Sequence, residues 1–319
     1  MKDEGLPSPA RGTVVTVGSF DGVHLGHQAI LAETRERAAE LGGAAVVVTF
    51  EPHPAEVLAA GGAPVRLTTP VERAEIVAEL GLDYVFVVRF DRRLAELSAE
   101  EFVRDILLRR CGMRELVLGA DHGFGKDRSG NSRTLPVLGA GLGFGVRVVA
   151  PVADAAGLAI KSTRVRAAVA AGDLAGAAAW LGRPYRLTAR VMPGAGRGRT
   201  IGVPTINLEG PPPDKALPPD GVYAARVEWG GGTAGAMLNQ GPRPTVGDAR
   251  RTLEAHLFGV DRELRGRMVR VEWVERMRDI RRFPSLEGLK AQLAHDREHA
   301  LAILAGRPET STVRPTGAR

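Results

Sequence analysis

The stretch "TVGSFDGVHLGHQAIL", residues 16–31, decides the fold of the first half of the chain. A valine-rich apolar run leads into a glycine-rich turn, and a helical pattern begins directly after that turn. The turn carries two histidines, His24 and His27, three residues apart. A strand, a turn and a helix in this order are typical of the opening unit of a parallel sheet covered by helices.

Four more strand-like runs follow, and helical patterns that end in glycine lie between several of them. The five predicted strands cover residues 13–20, 44–50, 83–90, 115–120 and 145–152. Alternation of this kind predicts a Rossmann-like α/β domain, in which a parallel sheet carries helices on both faces.

The pattern changes after residue 184. Strand-like runs are then separated by glycine and proline turns without crossover helices, which predicts a small antiparallel β-barrel or sandwich. A closing helix follows, with Ser285 as its expected N-cap. We therefore predict one domain over residues 1–183 and a second over 184–305. The polar, proline-containing residues 306–319 are expected to be a disordered tail.

The composition narrows the class of protein. The chain has 319 residues, of which 44% are hydrophobic, enough for two packed domains. No apolar run approaches the roughly 18 residues that a membrane helix needs, and no signal-peptide block begins the chain, so we expect a cytoplasmic protein without a membrane partner. One cysteine excludes an internal disulfide and a cysteine zinc cluster.

The net charge of +6 does not by itself indicate a nucleic-acid partner. The basic residues are scattered, with no dense run and little aromatic interleaving, so we expect no nucleic acid. A modest positive charge suits anionic small molecules such as nucleotides. The sequence leaves the oligomeric state open.

The histidine turn should lie at the carboxyl edge of the sheet, where ligands of such sheets bind. A helix N-terminus favours a phosphate, and the glycines Gly18, Gly22 and Gly26 let the backbone approach an anion closely. His24 and His27 would then act as hydrogen-bond donors to phosphate groups.

At these residues the sequence resembles the HxGH nucleotidyltransferases, which attack the α-phosphate of ATP and release pyrophosphate. The segment "GADHGFGKDRSGN", residues 119–131, resembles the flavin-site loop of prokaryotic FAD synthetases, and "IKSTRVR", residues 160–166, resembles their phosphate-binding signature. The resemblance implies ATP contacts by Gly18, Phe20, Gly26, Ser162, Thr163 and Arg164, and flavin contacts by Asp121, Phe124 and Gly125.

Two stretches of the second half resemble riboflavin kinases. In "GRGRTIGVPTINL", residues 196–208, Gly196 and Gly202 belong to a glycine-rich segment whose amides can wrap ATP phosphates. Thr205 and Asn207 alternate along an extended segment, face one side and can hold Mg²⁺ with the nucleotide. In "NQGPRPTVGDARRTLEAHLFG", residues 239–259, Glu254 has the position of the family's catalytic base.

Together these motifs resemble the prokaryotic bifunctional riboflavin kinase/FMN adenylyltransferases, also called FAD synthetases. The resemblance implies that the second domain phosphorylates riboflavin with ATP to FMN, and that the first joins FMN to AMP from a second ATP, giving FAD and pyrophosphate. Two alternatives stay open: an adenylyltransferase for another mononucleotide with a non-catalytic second domain, and a flavin-sensing protein without turnover.

Three positions depart from the family pattern. Lys161 stands where a serine is usual and either adds a phosphate contact or displaces one. His122 replaces a usual aromatic in the flavin loop, which affects stacking on the flavin ring. Arg265 occupies a place usually held by tyrosine. These departures bear on flavin affinity and rate rather than on the type of reaction.

Overall fold

The computed structural model describes residues 6, 12–59, 62–194, 198, 201–242 and 251–306. Gly196 and the predicted tail after residue 306 lie outside the described residues. Contacts divide the chain into two compact units, with the division between Ser162 and Thr163. The sequence predicts a domain boundary at residue 183, and that boundary stays a prediction. Each unit is described by itself below.

The first unit is built on a five-stranded parallel sheet with the order β3-β2-β1-β4-β7. Its strands are β1 (Thr13–Val17), β2 (Ala44–Glu51), β3 (Tyr84–Arg89), β4 (Met113–Gly119) and, after the short hairpin of β5 (Gly123–Phe124) and β6 (Gly130–Asn131), β7 (Gly145–Val149). The predicted parallel sheet is confirmed, and each of its strands overlaps a run predicted from the sequence.

The helices of the first unit lie between these strands. They are α1 (Leu25–Leu41), α2 (Pro54–Leu58), α3 (Pro70–Glu79), α4 (Arg92–Glu96), α5 (Ala99–Phe102), which continues as a π-helix over Val103–Leu108, and α6 (Thr134–Leu142). Alternate residues of β1 point to opposite faces of the sheet, so Val14 packs in one core with Leu31 of α1, and Val15 in another with Phe102. The predicted cover of both faces is thus confirmed.

The strand order fixes where the histidine turn lies. β1 is central and pairs with β2 on one side and β4 on the other, so the carboxyl ends of β1 and β4 are neighbours. The chain leaves β1 into the histidine turn and leaves β4 into the predicted flavin loop. Sites of open parallel sheets form at such a switch point, where neighbouring connections diverge.

The second unit is a closed antiparallel barrel with the order β10-β11-β12-β9-β8-β13. After α7 (Ser162–Ala171) and α8 (Leu174–Leu181), its strands are β8 (Arg186–Met192), β9 (Ile206–Leu208), β10 (Gly221–Trp229), β11 (Gly232–Pro242), β12 (Arg251–Leu257) and β13 (Met268–Arg278). The predicted antiparallel barrel is confirmed.

The closing helix spans Leu286–Ala305, and the Ser285 side chain caps it by accepting a hydrogen bond from the Gly288 amide, as predicted. The guanidinium of Arg278, at the end of β13, contacts both carboxylate oxygens of the buried Asp296 at 2.6–3.0 Å. This two-pronged contact fastens the helix to the barrel. No helix in the described part of the chain is long and apolar enough to cross a membrane.

A chain of buried polar groups connects Trp273, Gln240 and Pro218 in the second unit. The Trp273 indole N–H donates to the side-chain oxygen of Gln240 (3.1 Å), and the Gln240 amide donates to the carbonyl oxygen of Pro218 (2.6 Å). Gln240 and Trp273 are 0% and 1% exposed. Because all of these groups are withdrawn from water, the bonds between them must replace bonds to solvent.

Gln240→Leu should lower the free energy of unfolding of the second unit by about 2 kcal/mol or more, because it leaves the Trp273 N–H and the Pro218 carbonyl without partners. Urea unfolding followed by tryptophan fluorescence measures this unit alone, since all three tryptophans lie between residues 163 and 311. Thr233→Ala, an exposed change on the same strand, should stay within about 0.5 kcal/mol. An equal effect of both variants would contradict the role given to Gln240.

Candidate active sites

The histidine turn orients His24 through its role as the N-cap of α1. His24 Nδ1 accepts a hydrogen bond from the backbone N–H of His27 (3.3 Å), and the His24 side chain is 6% exposed. A ring nitrogen that accepts a hydrogen bond carries no proton, so the neutral ring bears its proton on Nε2. His24 is thereby fixed in the tautomer that donates from Nε2.

The second histidine packs against the first. The His24 and His27 rings stack with centroids 3.7 Å apart, and the edge of Phe20 meets His27 at 5.2 Å. A side chain at Gly26 would place its Cβ 3.2 Å from the His24 ring. The small residue between the two histidines therefore leaves the space in which these rings stack.

A buried aspartate that the sequence analysis did not single out holds the turn in place. The Asp21 carboxylate accepts from the Leu67 amide (2.9 and 3.0 Å), from the Thr68 amide (3.0 Å) and from the Thr68 hydroxyl (3.2 Å). The Thr68 hydroxyl oxygen in turn accepts from the Gly22 amide. Asp21 is 2% exposed. In the sequence, the one indication of this role was the position of an acidic residue between Gly18 and Gly22 of the turn.

The predicted phosphate-binding signature meets the turn through Ser162. The Ser162 hydroxyl donates to the carbonyl oxygen of Asp21 at 2.9 Å. Its single O–H proton is therefore used within the protein. Gly18 is similar in this respect, since its amide donates to the Val48 carbonyl in the sheet at 3.0 Å.

The other two residues of the signature belong to the second unit. Thr163 is exposed, whereas Arg164 places its guanidinium 4.3 Å from the centre of the Trp180 ring. Such cation–π packing holds the planar guanidinium in one orientation. The phosphate contacts assigned to Ser162, Thr163 and Arg164 stay predictions.

A cavity of about 620 Å³ in the first unit joins the histidine turn to the flavin loop. Of the predicted site residues, its lining contains Gly18, Phe20, His27, Phe124 and Gly125. The sequence separates these two groups by almost 100 residues, and the pairing of β1 with β4 brings them together. Asp121 lies outside the lining, with its side chain 73% exposed and its carboxylate 3.5 Å from Lys161 Nζ.

The flavin loop is packed closely against α5. Gly125 has φ = +73°, and a Cβ there would lie 2.6 Å from the backbone nitrogen of Ala99. Phe124 is 8% exposed and packs on Phe102 with ring centroids 5.1 Å apart. Both residues therefore form a fixed wall of the cavity.

His122 also lines this cavity, and its ring centroid is 6.0 Å from that of Phe124. Burial, helped by the nearby positive charge of Arg128, lowers the pKa of His122 to about 4. The imidazole is therefore neutral at neutral pH. At this position the wall carries an uncharged ring with polar edges in place of a wholly apolar aromatic ring.

The candidate kinase site lies on the outer face of the barrel. Strand register places Glu254 of β12 directly opposite Asn207 of β9 and Asn239 of β11. Residues paired in this way point to the same side of a sheet, so the three polar side chains form a row across neighbouring strands. The alternate β12 residues Leu253 and Ala255 are buried inside the barrel. Asn239 was not assigned a role from the sequence.

A second cavity, of about 520 Å³, is lined by Thr205 and Asn207 together with Asp261, Glu263 and Arg265. The segment before β9 is tied to β12 because His256 Nδ1 lies 2.7 Å from the carbonyl oxygen of Pro204. A carbonyl only accepts, so this nitrogen carries the proton. Gly202, with φ = +79°, lies in the same segment.

The oxygen donors here fit a magnesium ion that arrives with a nucleotide. The Thr205 hydroxyl and the Asn207 amide oxygen are hard ligands of the kind Mg²⁺ takes. In the part of the chain that the structure describes, no group of three or more histidine, cysteine, aspartate or glutamate side chains could hold a metal by itself. Mg²⁺ at sites of this kind is held by one or two protein oxygens, substrate phosphates and water.

Comparisons with known proteins agree with the presence of two sites. A family model described as FAD synthetase matches residues 6–164, and one described as riboflavin kinase matches residues 181–304. The chain is 40% identical over 290 residues to the bifunctional riboflavin kinase/FMN adenylyltransferase of Escherichia coli K12, covering 91% of this chain and 92% of that protein. The chain belongs to this family.

A further family member, from Pseudomonas fluorescens, is 42% identical over 296 residues, which is 92% of this chain and 94% of that protein. A solved structure named as a macrolide-efflux protein from Streptococcus pneumoniae matches with a TM-score of 0.80 and 31% identity, covering 94% of this chain and 96% of that one. That name describes the other protein, and we take only the shared fold from this match. The predicted membership of the FAD synthetase family is confirmed.

The lowered pKa of His122 has a measurable consequence. The pKa of His122 in the folded protein lies below its unfolded value of about 6.5. As the pH falls, His122 therefore binds a proton in the unfolded chain before it does so in the folded protein. The first unit should therefore lose stability as the pH falls from about 6.5 towards 4. His122→Phe should reduce that loss, which thermal melts followed by circular dichroism at pH 7 and pH 5 would measure. Equal acid sensitivity of the variant and the wild type would contradict the assignment.

Proposed function

We propose that this protein carries out both reactions of its family: phosphorylation of riboflavin by ATP to FMN, and adenylylation of FMN by ATP to FAD with release of pyrophosphate. The observation that carries the proposal is the cavity in which His27 of the histidine turn meets Phe124 and Gly125 of the flavin loop. A nucleotide site and a flavin site that share one cavity suit a reaction that joins the two ligands.

In the kinase reaction, Glu254 would accept the proton of the riboflavin 5′-hydroxyl as this oxygen attacks the γ-phosphorus of ATP. The bond between the γ-phosphorus and the bridging oxygen breaks, and ADP leaves. The strand register supports this role, since Glu254 lies directly opposite Asn207, a residue of the proposed ATP site. Asn239 on the other side of Glu254 is placed to hold the carboxylate or the substrate hydroxyl.

Magnesium would be held by Thr205 and Asn207 together with ATP phosphates, and it would neutralise the negative charge of the transferred group. Residues Gly196 and Gly202 are proposed to belong to the loop around these phosphates. The His256 contact to Pro204 supports the placement because it fixes the segment that carries Thr205.

In the adenylyl transfer, an oxygen of the FMN phosphate would attack the α-phosphorus of ATP while the bond to the β-phosphate oxygen breaks. The nucleophile is already an anion, so no base is required. His24 and His27 would stabilise the charge that develops on the phosphoryl oxygens, and the Nε2–H of His24 is the donor for this role. Gly18, Phe20 and Gly26 would shape the ATP site. Thr163 and Arg164 would add phosphate contacts, and Ser162 would do so through the N-terminus of α7, since its hydroxyl proton is already used.

The flavin ring would lie against Phe124 and Gly125, near Asp121. Riboflavin, FMN and ATP are the proposed ligands, without a nucleic-acid or membrane partner. A cytoplasmic location belongs to the proposal because both reactions consume ATP.

Incubation of the purified protein with riboflavin, ATP and Mg²⁺ should give FMN first and FAD later, as resolved by reversed-phase chromatography with fluorescence detection. Omission of Mg²⁺ should stop the reaction. Formation of FMN without FAD, or conversion of added FMN without use of riboflavin, would leave only one of the two activities. A protein that binds flavin and forms neither product would contradict the proposal.

Two single variants should separate the two sites. Glu254→Ala should lower FMN formation by about 10²- to 10⁴-fold and leave the conversion of FMN to FAD intact, because it removes the base of one reaction only. His27→Ala should lower FAD formation by about 10²- to 10³-fold and leave FMN formation intact. His295→Ala, on the exposed side of the closing helix, serves as a control without effect on either rate. Loss of both activities in either site variant would argue against two independent sites.

A further inference from the structure

Lys161 connects two predicted motifs of the first unit, the phosphate-binding signature at residues 160–166 and the flavin loop at residues 119–131. Its backbone belongs to the segment that meets the histidine turn, and its Nζ lies 3.5 Å from a carboxylate oxygen of Asp121 in the flavin loop. The nucleotide-binding and flavin-binding segments are therefore linked through one lysine side chain. The following steps rest on the proposed adenylyl transfer.

The backbone on either side of Lys161 is held firmly. The amide of Ile160 donates to the Val152 carbonyl at 3.0 Å, and the hydroxyl of Ser162 donates to the Asp21 carbonyl at 2.9 Å. The carbonyl oxygen of Ile160 approaches the turn closely, at 3.6 Å from the position that a Gly26 Cβ would take. The origin of the lysine side chain is thus fixed beside the stacked histidines.

The charged end of Lys161 is held only weakly. The side chains of Lys161 and Asp121 are 58% and 73% exposed, and a solvated ion pair of this kind contributes about 0–1 kcal/mol. Four flexible bonds let the ammonium leave Asp121 at little cost. An anion of higher charge density close by can therefore replace the carboxylate as its partner.

The reaction brings such anions to this place. The FMN phosphate and the ATP triphosphate must meet between the flavin loop and the histidine turn, and both are negatively charged. Their mutual repulsion opposes the approach of the attacking oxygen to the α-phosphorus. A cation within reach of the meeting point lowers that repulsion before and during the transfer.

We propose that Lys161 binds a substrate phosphate during adenylyl transfer, exchanging Asp121 for a phosphoryl oxygen when FMN and ATP are bound. The lysine stays protonated and transfers no proton. The bond that forms joins an FMN phosphate oxygen to the α-phosphorus, and the electron pair of the broken bond leaves with pyrophosphate. The sequence left open whether Lys161 adds a phosphate contact or displaces one, and this proposal chooses the added contact.

The test compares Lys161→Met with Lys161→Arg and Arg104→Met in the full-length protein. Lys161→Met should lower kcat/KM for FAD formation by about 10- to 100-fold, the loss expected for one charge-assisted contact, and Lys161→Arg should restore part of it. A rise in KM for FMN would place the contact on the FMN phosphate, and a rise in KM for ATP would place it on the triphosphate.

A flavin without a phosphate separates this contact from a change in the shape of the site. Lumiflavin, used as a competitive inhibitor of FAD formation, should have the same inhibition constant in Lys161→Met as in the wild type, because it carries no phosphate that Lys161 could contact. Arg104→Met removes an equally exposed cation, paired with Glu100 on the same unit, and should not alter either KM.

If the Lys161–Asp121 ion pair served only to hold the flavin loop, Lys161→Met would weaken inhibition by lumiflavin as much as it raises the KM for FMN, and the proposal would be overturned. Unchanged KM values and kcat in Lys161→Met would also overturn it while wild-type protein still forms FAD. Wild-type protein that forms no FAD would overturn the proposed function, and this assignment with it.

Discussion

The buried carboxylate of Asp21 is the contact on which the first site depends. It accepts from two backbone amides and a hydroxyl of the 67–68 segment, while its own carbonyl accepts from Ser162. A buried charge without such partners would be very unfavourable, so the turn has one low-energy arrangement. That arrangement orients His24 and His27 before any substrate binds. Asp21 thus determines the positions of the proposed donors to ATP, His24 and His27, without having to contact ATP itself.

The architecture could be predicted from the sequence, because periodicity reports local structure. Valine-rich runs with glycine stops predicted the parallel sheet, and strand-like runs separated by turns without crossover helices predicted the antiparallel barrel. Contacts between distant segments left no such trace. Asp21 and Thr68 are 47 residues apart, and Asn239 becomes a neighbour of Glu254 only through the barrel register. The Lys161 contact with Asp121 likewise depends on which loop follows β4.

The two sites solve the same physical problem with different means. In the proposed reactions, both sites hold the triphosphate of ATP and stabilise the charge that develops on a phosphoryl group. In the first site, the hydrogen-bond donors belong to the protein itself: the stacked imidazoles, the N-terminus of α1 and the side chain of Lys161. In the proposed kinase site, Thr205, Asn207 and Glu254 bring no positive charge themselves, and we propose that Mg²⁺ enters with the nucleotide and supplies it. This difference follows from the two nucleophiles. The FMN phosphate is already an anion and needs no base, whereas the riboflavin hydroxyl must lose a proton to a base, the role proposed for Glu254.

The closed barrel also bears on self-association. Each of its six strands has a hydrogen-bonded neighbour on both sides, so none of the strands described in the second unit is an edge strand. The parallel sheet instead ends at β3 and β7. Each of these edge strands carries an exposed arginine and an exposed valine: Arg89 and Val87 on β3, and Arg147 and Val148 on β7. Charged side chains on an edge strand oppose the pairing of a further strand from another chain.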